Sequence, residues 1–219
     1  MLLKVENLTV KFDETPVLEN ISFELEENEV LGVIGPNGAG KTTLLKALIF
    51  QIPFEGKITY KEGTVVKMVP QLKNLNRNLP LTVEEFFIFS KIPQEVFKSF
   101  FDEKFLKKTL SNLSDGELQK VLIIKALSQK PDLVLLDEPS SFLDPKNKET
   151  VFSIIEKFHE RDKFSIIIVS HDISLISSMT DRVICLNKNL VCDGPISHLT
   201  PEILEKLYGY KVMAHLHRH

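Results

Sequence analysis

Hydrophobic positions change their period along the chain, and the changes mark out elements. Leu3, Val5, Leu8 and Val10 alternate with polar residues, a polar turn Asp13-Glu14-Thr15-Pro16 follows, and Val17, Leu18, Ile21, Phe23 and Leu25 resume the pattern. Period-two patterning broken by turn residues predicts antiparallel β structure. Val30-Leu31-Gly32-Val33-Ile34 has no polar position, the mark of a strand buried on both faces. A glycine-rich stretch separates it from a helix predicted over Thr42–Phe50, ended before Pro53. Short strands are expected near Lys57–Tyr60 and Val65–Val69.

From about Gln71 to Leu113 the pattern is helical, with Pro80 and Pro93 as punctuation. Phe86, Phe87, Phe89, Phe97, Phe100, Phe101 and Phe105 fall here, and most of these rings are expected to pack together. The segment is read as an inserted helical subdomain over about 72–114. Strand and helix then alternate again. Leu133–Asp137 and Phe164–Val169 are predicted buried strands, and between them Asp144-Pro145 caps and starts a helix running to about His159. Val183–Val191 reads as a hairpin, and Thr200-Pro201 opens a last short helix. Such alternation predicts an α/β fold with a mostly parallel core sheet, joined here by an antiparallel β subdomain and the helical insertion.

A length of 219 residues suits one large domain with a subdomain. The net charge of −3 gives no pull toward nucleic acid or anionic lipid. No apolar run approaches the ~20 residues of a membrane helix, and Lys4 and Glu6 stand where a signal peptide needs an apolar core. The expectation is a cytosolic protein whose membrane role, if any, comes through a partner. If Lys188-Asn189 is a hairpin turn, Cys185 and Cys192 lie opposite each other. They are either a redox or metal pair or two small residues on a strand face in a reducing compartment, and the second is favoured.

The candidate chemistry starts at Gly35-Pro36-Asn37-Gly38-Ala39-Gly40-Lys41-Thr42, which fits G-x-x-x-x-G-K-[ST] between a buried strand and a helix. Its glycines let backbone N–H groups surround phosphates, and the helix adds its positive dipole end. Lys41 would reach the β- and γ-phosphates of ATP, and the Thr42 hydroxyl would ligate Mg²⁺. Asp137, closing an apolar strand, is placed to hold the metal, and Glu138 to orient or deprotonate the attacking water. Ser114 and Glu117 form a capping box; the same helix N-terminus, with Gly116, is a candidate anion site for a different nucleotide.

In their order along the chain these residues resemble the ATPase subunits of ABC transporters, over almost the whole sequence. The resemblance implies that Phe12 stacks on adenine and that Gly35–Thr43 is the Walker A loop. It implies that Gln71 touches Mg²⁺ and water, and that Leu113–Glu117 is the signature motif. Asp137 and Glu138 then resemble Walker B and the catalytic acid, Ser141–Asp144 the D-loop, and His171 the switch histidine on the γ-phosphate. By that resemblance residues 1–219 are a single ABC ATPase domain, with the β and nucleotide-binding parts over about 1–71 and 115–210, the helical part over about 72–114 and a tail at 211–219.

The resemblance further implies a head-to-tail homodimer with shared ATP sites. The dimer would sit on the cytoplasmic side of the membrane on an integral permease, in a system with an extracytoplasmic substrate-binding protein and no nucleic acid. Within the family the chain is most similar to zinc and manganese importer ATPases, through Glu55–Gln71, Asn78–Val83 and the hairpin at 183–187. Other cargo, a non-transport ABC ATPase or a P-loop kinase are the competing classes, and the last would lack the signature and the Ser170-His171 switch. Two positions depart from the family pattern. Asp115 replaces the middle signature glycine and is expected to weaken dimer closure, and Phe142 is bulky for a D-loop. His215, His217 and His219 are candidate Zn²⁺ ligands on a tail expected to be disordered.

Overall fold

The alternating stretch at the start forms two strands, β1 (Leu3–Phe12) and β2 (Thr15–Leu25), paired antiparallel. Their turn is shorter than the four polar residues suggest. Asp13 and Glu14 both take positive φ, so two residues close the hairpin and Thr15-Pro16 already belong to β2. Next in order come β3 (Val30–Ile34), α1 (Lys41–Leu48), β4 (Glu55–Tyr60) and β5 (Val66–Val69). The helical stretch holds α2 (Val83–Phe89), α3 (Gln94–Lys98) and α4 (Glu103–Leu106), and α5 (Asp115–Leu127) follows it. Then follow β6 (Leu133–Asp137), α6 (Pro145–Asp162), β7 (Ser165–Val169), α7 (Ile173–Met179), β8 (Arg182–Asn187), β9 (Asn189–Pro195) and α8 (Pro201–Tyr208). The computed structural model describes residues 1–74, 79–171 and 173–209, with the backbone alone for Asn74, Ser174 and Leu175. The histidine tail lies outside the described residues. Among them, no helix is long and apolar enough to cross a membrane.

The chain divides into two units, Met1–Thr64 with Ser165 onward, and Val65–Phe164. In the first, β1 pairs with β2 on one side and β4 on the other, giving an antiparallel three-stranded sheet. A second sheet in the same unit has β3 between β7 and β8, parallel to both, with β9 added antiparallel beyond β8. Every residue of β3 and β7 is buried, as expected of apolar strands covered on both faces, and the one hydroxyl among them, Ser165 Oγ, donates to Glu26 O at 2.9 Å. Helix α7 was not foreseen. Its sequence, ISLISSM, spaces Ile173, Ile176 and Met179 as a helix face would, but it is short and its serines and isoleucines are weak helix formers. Packing supplies what propensity lacks. Gly32 has no side chain, and a Cβ there would come within 2.7 Å of Ile176, a fully buried residue of α7.

The second unit contains the parallel pair β5–β6 and a core of rings and aliphatics around α2 to α5. Phe87 and Phe97 stack at 5.0 Å between centroids, both fully buried, and Phe101 stacks on Phe105 at 4.5 Å. Phe89 alone of the seven points outward, 72% exposed.

One expectation is corrected here. The β8–β9 register sets Cys185 directly opposite Cys192, with Cα atoms 4.8 Å apart, and the two are joined by a disulfide instead of standing as separate small residues. The turn is tight, with Asn187 paired to Asn189 and Lys188 at positive φ, so the ladder itself brings the thiols together.

Candidate functional site

The phosphate-binding loop is shaped by its neighbours in the first unit. It leaves β3, and Gly35 lies so close to the Leu186 carbonyl that any Cβ would collide with it. Gly40, at φ 94°, leaves no room beside Leu18 and Val17 of β2 and caps α1 with no side-chain hydrogen bond. Gly40 thus offers no side-chain cap to the first turn of α1, and a helix N-terminus is where an anion is well received. The tight β8–β9 turn backs the loop: Lys188 N–H donates to Ala39 O at 3.2 Å, and Lys188 O accepts from Glu19 N–H at 2.9 Å. Lys41 is 92% buried, since only 8% of it is exposed, and its Nζ donates to Gly35 O at 2.8 Å and Pro36 O at 3.0 Å. Thr42 and Thr43 follow in the first turn of α1, both half-buried.

His171 comes to the same place by strand order. Val33 of β3 pairs with Val169 of β7, and Ser170 N–H donates to Val33 O at 3.2 Å, so the residue after Ser170 emerges beside the loop. Gly35, Pro36, Asn37 and His171 line one cavity of about 320 Å³. Tyr208, the last residue of α8, lines it too and was not foreseen from sequence. Helix α8 is tied to the loop's backing turn, because Asn187 Nδ2 donates to Leu207 O at 3.4 Å. Phe12 stands 49% exposed at the tip of β1 and is not part of that lining.

The second unit gathers the acidic candidates by the same logic. Val69 of β5 pairs with Leu136 of β6, so Gln71 and the Asp137-Glu138 pair leave adjacent strands at their carboxyl ends. Asp137 is 1% exposed. Glu138 takes φ 51°, a left-handed conformation uncommon for a non-glycine residue and frequent where a chain serves a site. Its Oε2 accepts from Ser141 Oγ at 2.8 Å.

Ser114 is the N-cap of α5, accepting from Glu117 N–H at 3.3 Å while Glu117 Oε2 accepts from Ser114 N–H at 3.0 Å. Lys108 donates to Glu117 Oε1 at 2.7 Å; this bond, ahead of those from Ser114, holds the Glu117 carboxyl below its ordinary value. Asp115 begins the helix and is absent from the residues with positive φ, as a non-glycine there requires. Asp144 caps α6, and its carboxyl is likewise lowered, first by the Asn147 backbone N–H.

A buried strand running into a glycine loop, a buried lysine and an uncapped helix, with strand-terminal carboxylates elsewhere in the chain, defines a P-loop nucleotide-binding ATPase. A family model for the ABC transporter matches residues 18–141. The zinc import ATP-binding protein ZnuC of Vibrio parahaemolyticus is 38% identical over 205 residues, covering 91% of this chain and 78% of that one. ZnuC of Buchnera aphidicola is 36% identical over 220 residues, covering 94% and 87%. A solved metal-chelate type ABC transporter in an inward-facing conformation superposes with a TM-score of 0.81 at 26% identity, covering 94% of this chain and 88% of that one. The ATP binding subunit of an ABC transporter shares the fold at a TM-score of 0.78. The chain belongs to the ABC transporter ATP-binding family.

Proposed function

We propose that this chain hydrolyses ATP to power import of a metal ion, zinc or manganese, through a separate membrane permease. The observation that carries the energetic half is the loop itself, a strand-to-helix turn that holds a buried Lys41 and leads into α1, whose N-cap Gly40 offers no side-chain hydrogen bond. The zinc import proteins to which the chain is similar over nine-tenths of its length support the cargo.

On this reading Gly35 to Thr43 hold the triphosphate of ATP, with Lys41 on its β and γ groups and Phe12 against the base. Thr42, Gln71 and Asp137 hold Mg²⁺, which neutralises charge developing on the phosphates. Glu138 takes or steers the proton of the attacking water, and His171 steadies the γ-phosphate. Ser114 and Gly116, with Asp144, complete the ATP site of a second copy arranged head to tail. The residues fall into a β and nucleotide-binding part, about 1–71 and 115–210, and a helical part, about 72–114, whose exposed Phe89 and Ile88 suit a permease surface. The dimer then sits on the cytoplasmic side of the membrane, fed by an extracytoplasmic substrate-binding protein.

Steady-state hydrolysis of Mg²⁺-ATP tests the first half. Lys41→Ala and Glu138→Gln are each expected to lower kcat on the order of 10²-fold or more, with Glu138→Gln still binding ATP. A Lys41→Ala chain mixed with a Ser114→Arg chain regains activity, because one intact shared site forms. Full activity of the monomer at high dilution would refute the shared site while leaving the loop's ATP binding intact. Reconstitution with the permease, with hydrolysis stimulated by zinc- or manganese-loaded binding protein and by no other loaded binding protein, tests the cargo.

A further inference from the structure

Gly116 is the second residue of α5, on helical backbone, where alanine is the better helix former. It is absent from the glycines with positive φ, so its own backbone asks for no glycine. A neighbour does. A Cβ at residue 116 would lie 2.6 Å from Cγ of Asn147, 2.8 Å from its Nδ2 and 2.9 Å from its Oδ1. The Asn147 amide therefore rests against the bare Cα of Gly116. It is not a loose end that can swing aside. Its Nδ2 donates to Asp144 Oδ2 at 2.5 Å, and the Asn147 backbone N–H donates to Asp144 Oδ1 at 3.0 Å. Two helix starts are thereby linked by one side chain: the carboxylate that caps α6 grips an amide, and the amide bears on the turn that opens α5 beside Ser114.

We infer that Asn147 is a positioning residue: clamped by Asp144, its amide sets the placement of the Ser114–Gly116 turn and so aims that turn's donors at the nucleotide of a second copy of this chain. This rests on the proposal above that Ser114 and Gly116 complete the partner's ATP site. It explains why the middle signature position accepts Asp115 while Gly116 stays bare. Residue 115 has no positive φ to ask for glycine, whereas a Cβ at residue 116 would meet the amide at less than contact distance.

Two readouts separate positioning from mere packing: kcat, and ATP-driven dimerisation measured in a Glu138→Gln background. Gly116→Ala is expected to weaken both by about tenfold, less than the ~10²-fold that a 1 Å misplacement can cost, with monomer affinity for ATP unchanged. Asn147→Gly alone leaves a gap and is expected to lose about fivefold in both, a coupling of ordinary size for residues in contact. The pair Gly116→Ala with Asn147→Gly puts the methyl where the amide stood and returns both readouts to within about threefold of the parent. A double variant no better than Gly116→Ala, or an Asn147→Gly chain that hydrolyses and dimerises as the parent does, overturns the inference. So does a set of variants that differ in melting temperature alone. A parent chain that neither hydrolyses ATP nor dimerises with it overturns the underlying reading and the inference together.

Discussion

Gly35 and Gly38 lie in one loop and are glycine for different reasons. A side chain at Gly35 meets the Leu186 carbonyl, a backbone atom that cannot turn away, whereas at Gly38 nothing lies within 4 Å and only the φ of 82° is unfavourable. Gly35→Ala is expected to abolish ATP binding. Gly38→Ala costs about 1–2 kcal/mol of stability and keeps a folded protein that binds nucleotide. Fluorescent-nucleotide titration beside thermal melts separates the two. Glu117 supplies a pH signature. Its folded carboxyl titrates below its ordinary value near 4.5, held down first by Lys108 and then by Ser114. A depressed acid stabilises the fold above its unfolded pKa, and the contribution fades as pH falls through the lower folded value. Denaturation midpoints of the parent should therefore drop below pH 4.5 more steeply than those of Glu117→Gln, and parallel curves would refute the assignment. The capping box was legible in the sequence because its two members are three residues apart. The collision at Gly35 was not, because the other partner is residue 186.

At the scale of elements, apolar runs located β3, β6 and β7 well, since a strand buried on both faces leaves no other pattern. Helix α7 escaped notice because its seven residues are weak helix formers, and the packing of Ile176 over Gly32 joins distant segments. The β8–β9 hairpin was expected, and its register with it, but the bond between its cysteines was discounted in favour of separate thiols. Closing so short a loop removes entropy from the unfolded chain worth about 2 kcal/mol. Reduction with a dithiol is thus expected to lower the melting temperature by about 5 °C, on the usual scaling for a domain of this size. Cys192→Ser should melt at the lower temperature with or without reductant, and a reductant-sensitive Cys192→Ser protein would locate the effect elsewhere.

At the scale of the molecule, the order of candidates was readable because each follows directly on a predicted element: the loop after β3, Gln71 after β5, Glu138 after β6, His171 after β7. The placing of Tyr208 was not, since a tyrosine ending a surface helix looks like any other until α8 is docked. Asp115 belongs to this scale too. On the shared-site proposal its carboxylate faces the γ-phosphate of the neighbouring copy, so Asp115→Gly is expected to tighten ATP-driven dimerisation about threefold or more, the size of one nearby like charge across water. Sedimentation with hydrolysis blocked measures it, and equal affinities would dismiss the repulsion.

The backing of the phosphate loop by the β8–β9 turn has a consequence for how the protein is made. Strand β3 and its loop leave the ribosome early, yet their two sheet neighbours, β7 and β8, and the Lys188 turn come from residues 165 to 188. At synthesis rates of 5–20 residues per second that is a wait of roughly 7–30 s with the apolar β3 unsheltered. Residues 65–164, by contrast, are one uninterrupted stretch with their own core and can fold as they emerge. Nucleotide binding should thus be acquired late, after the middle of the chain is already folded, and nascent chains arrested before residue 182 should be unable to retain ATP.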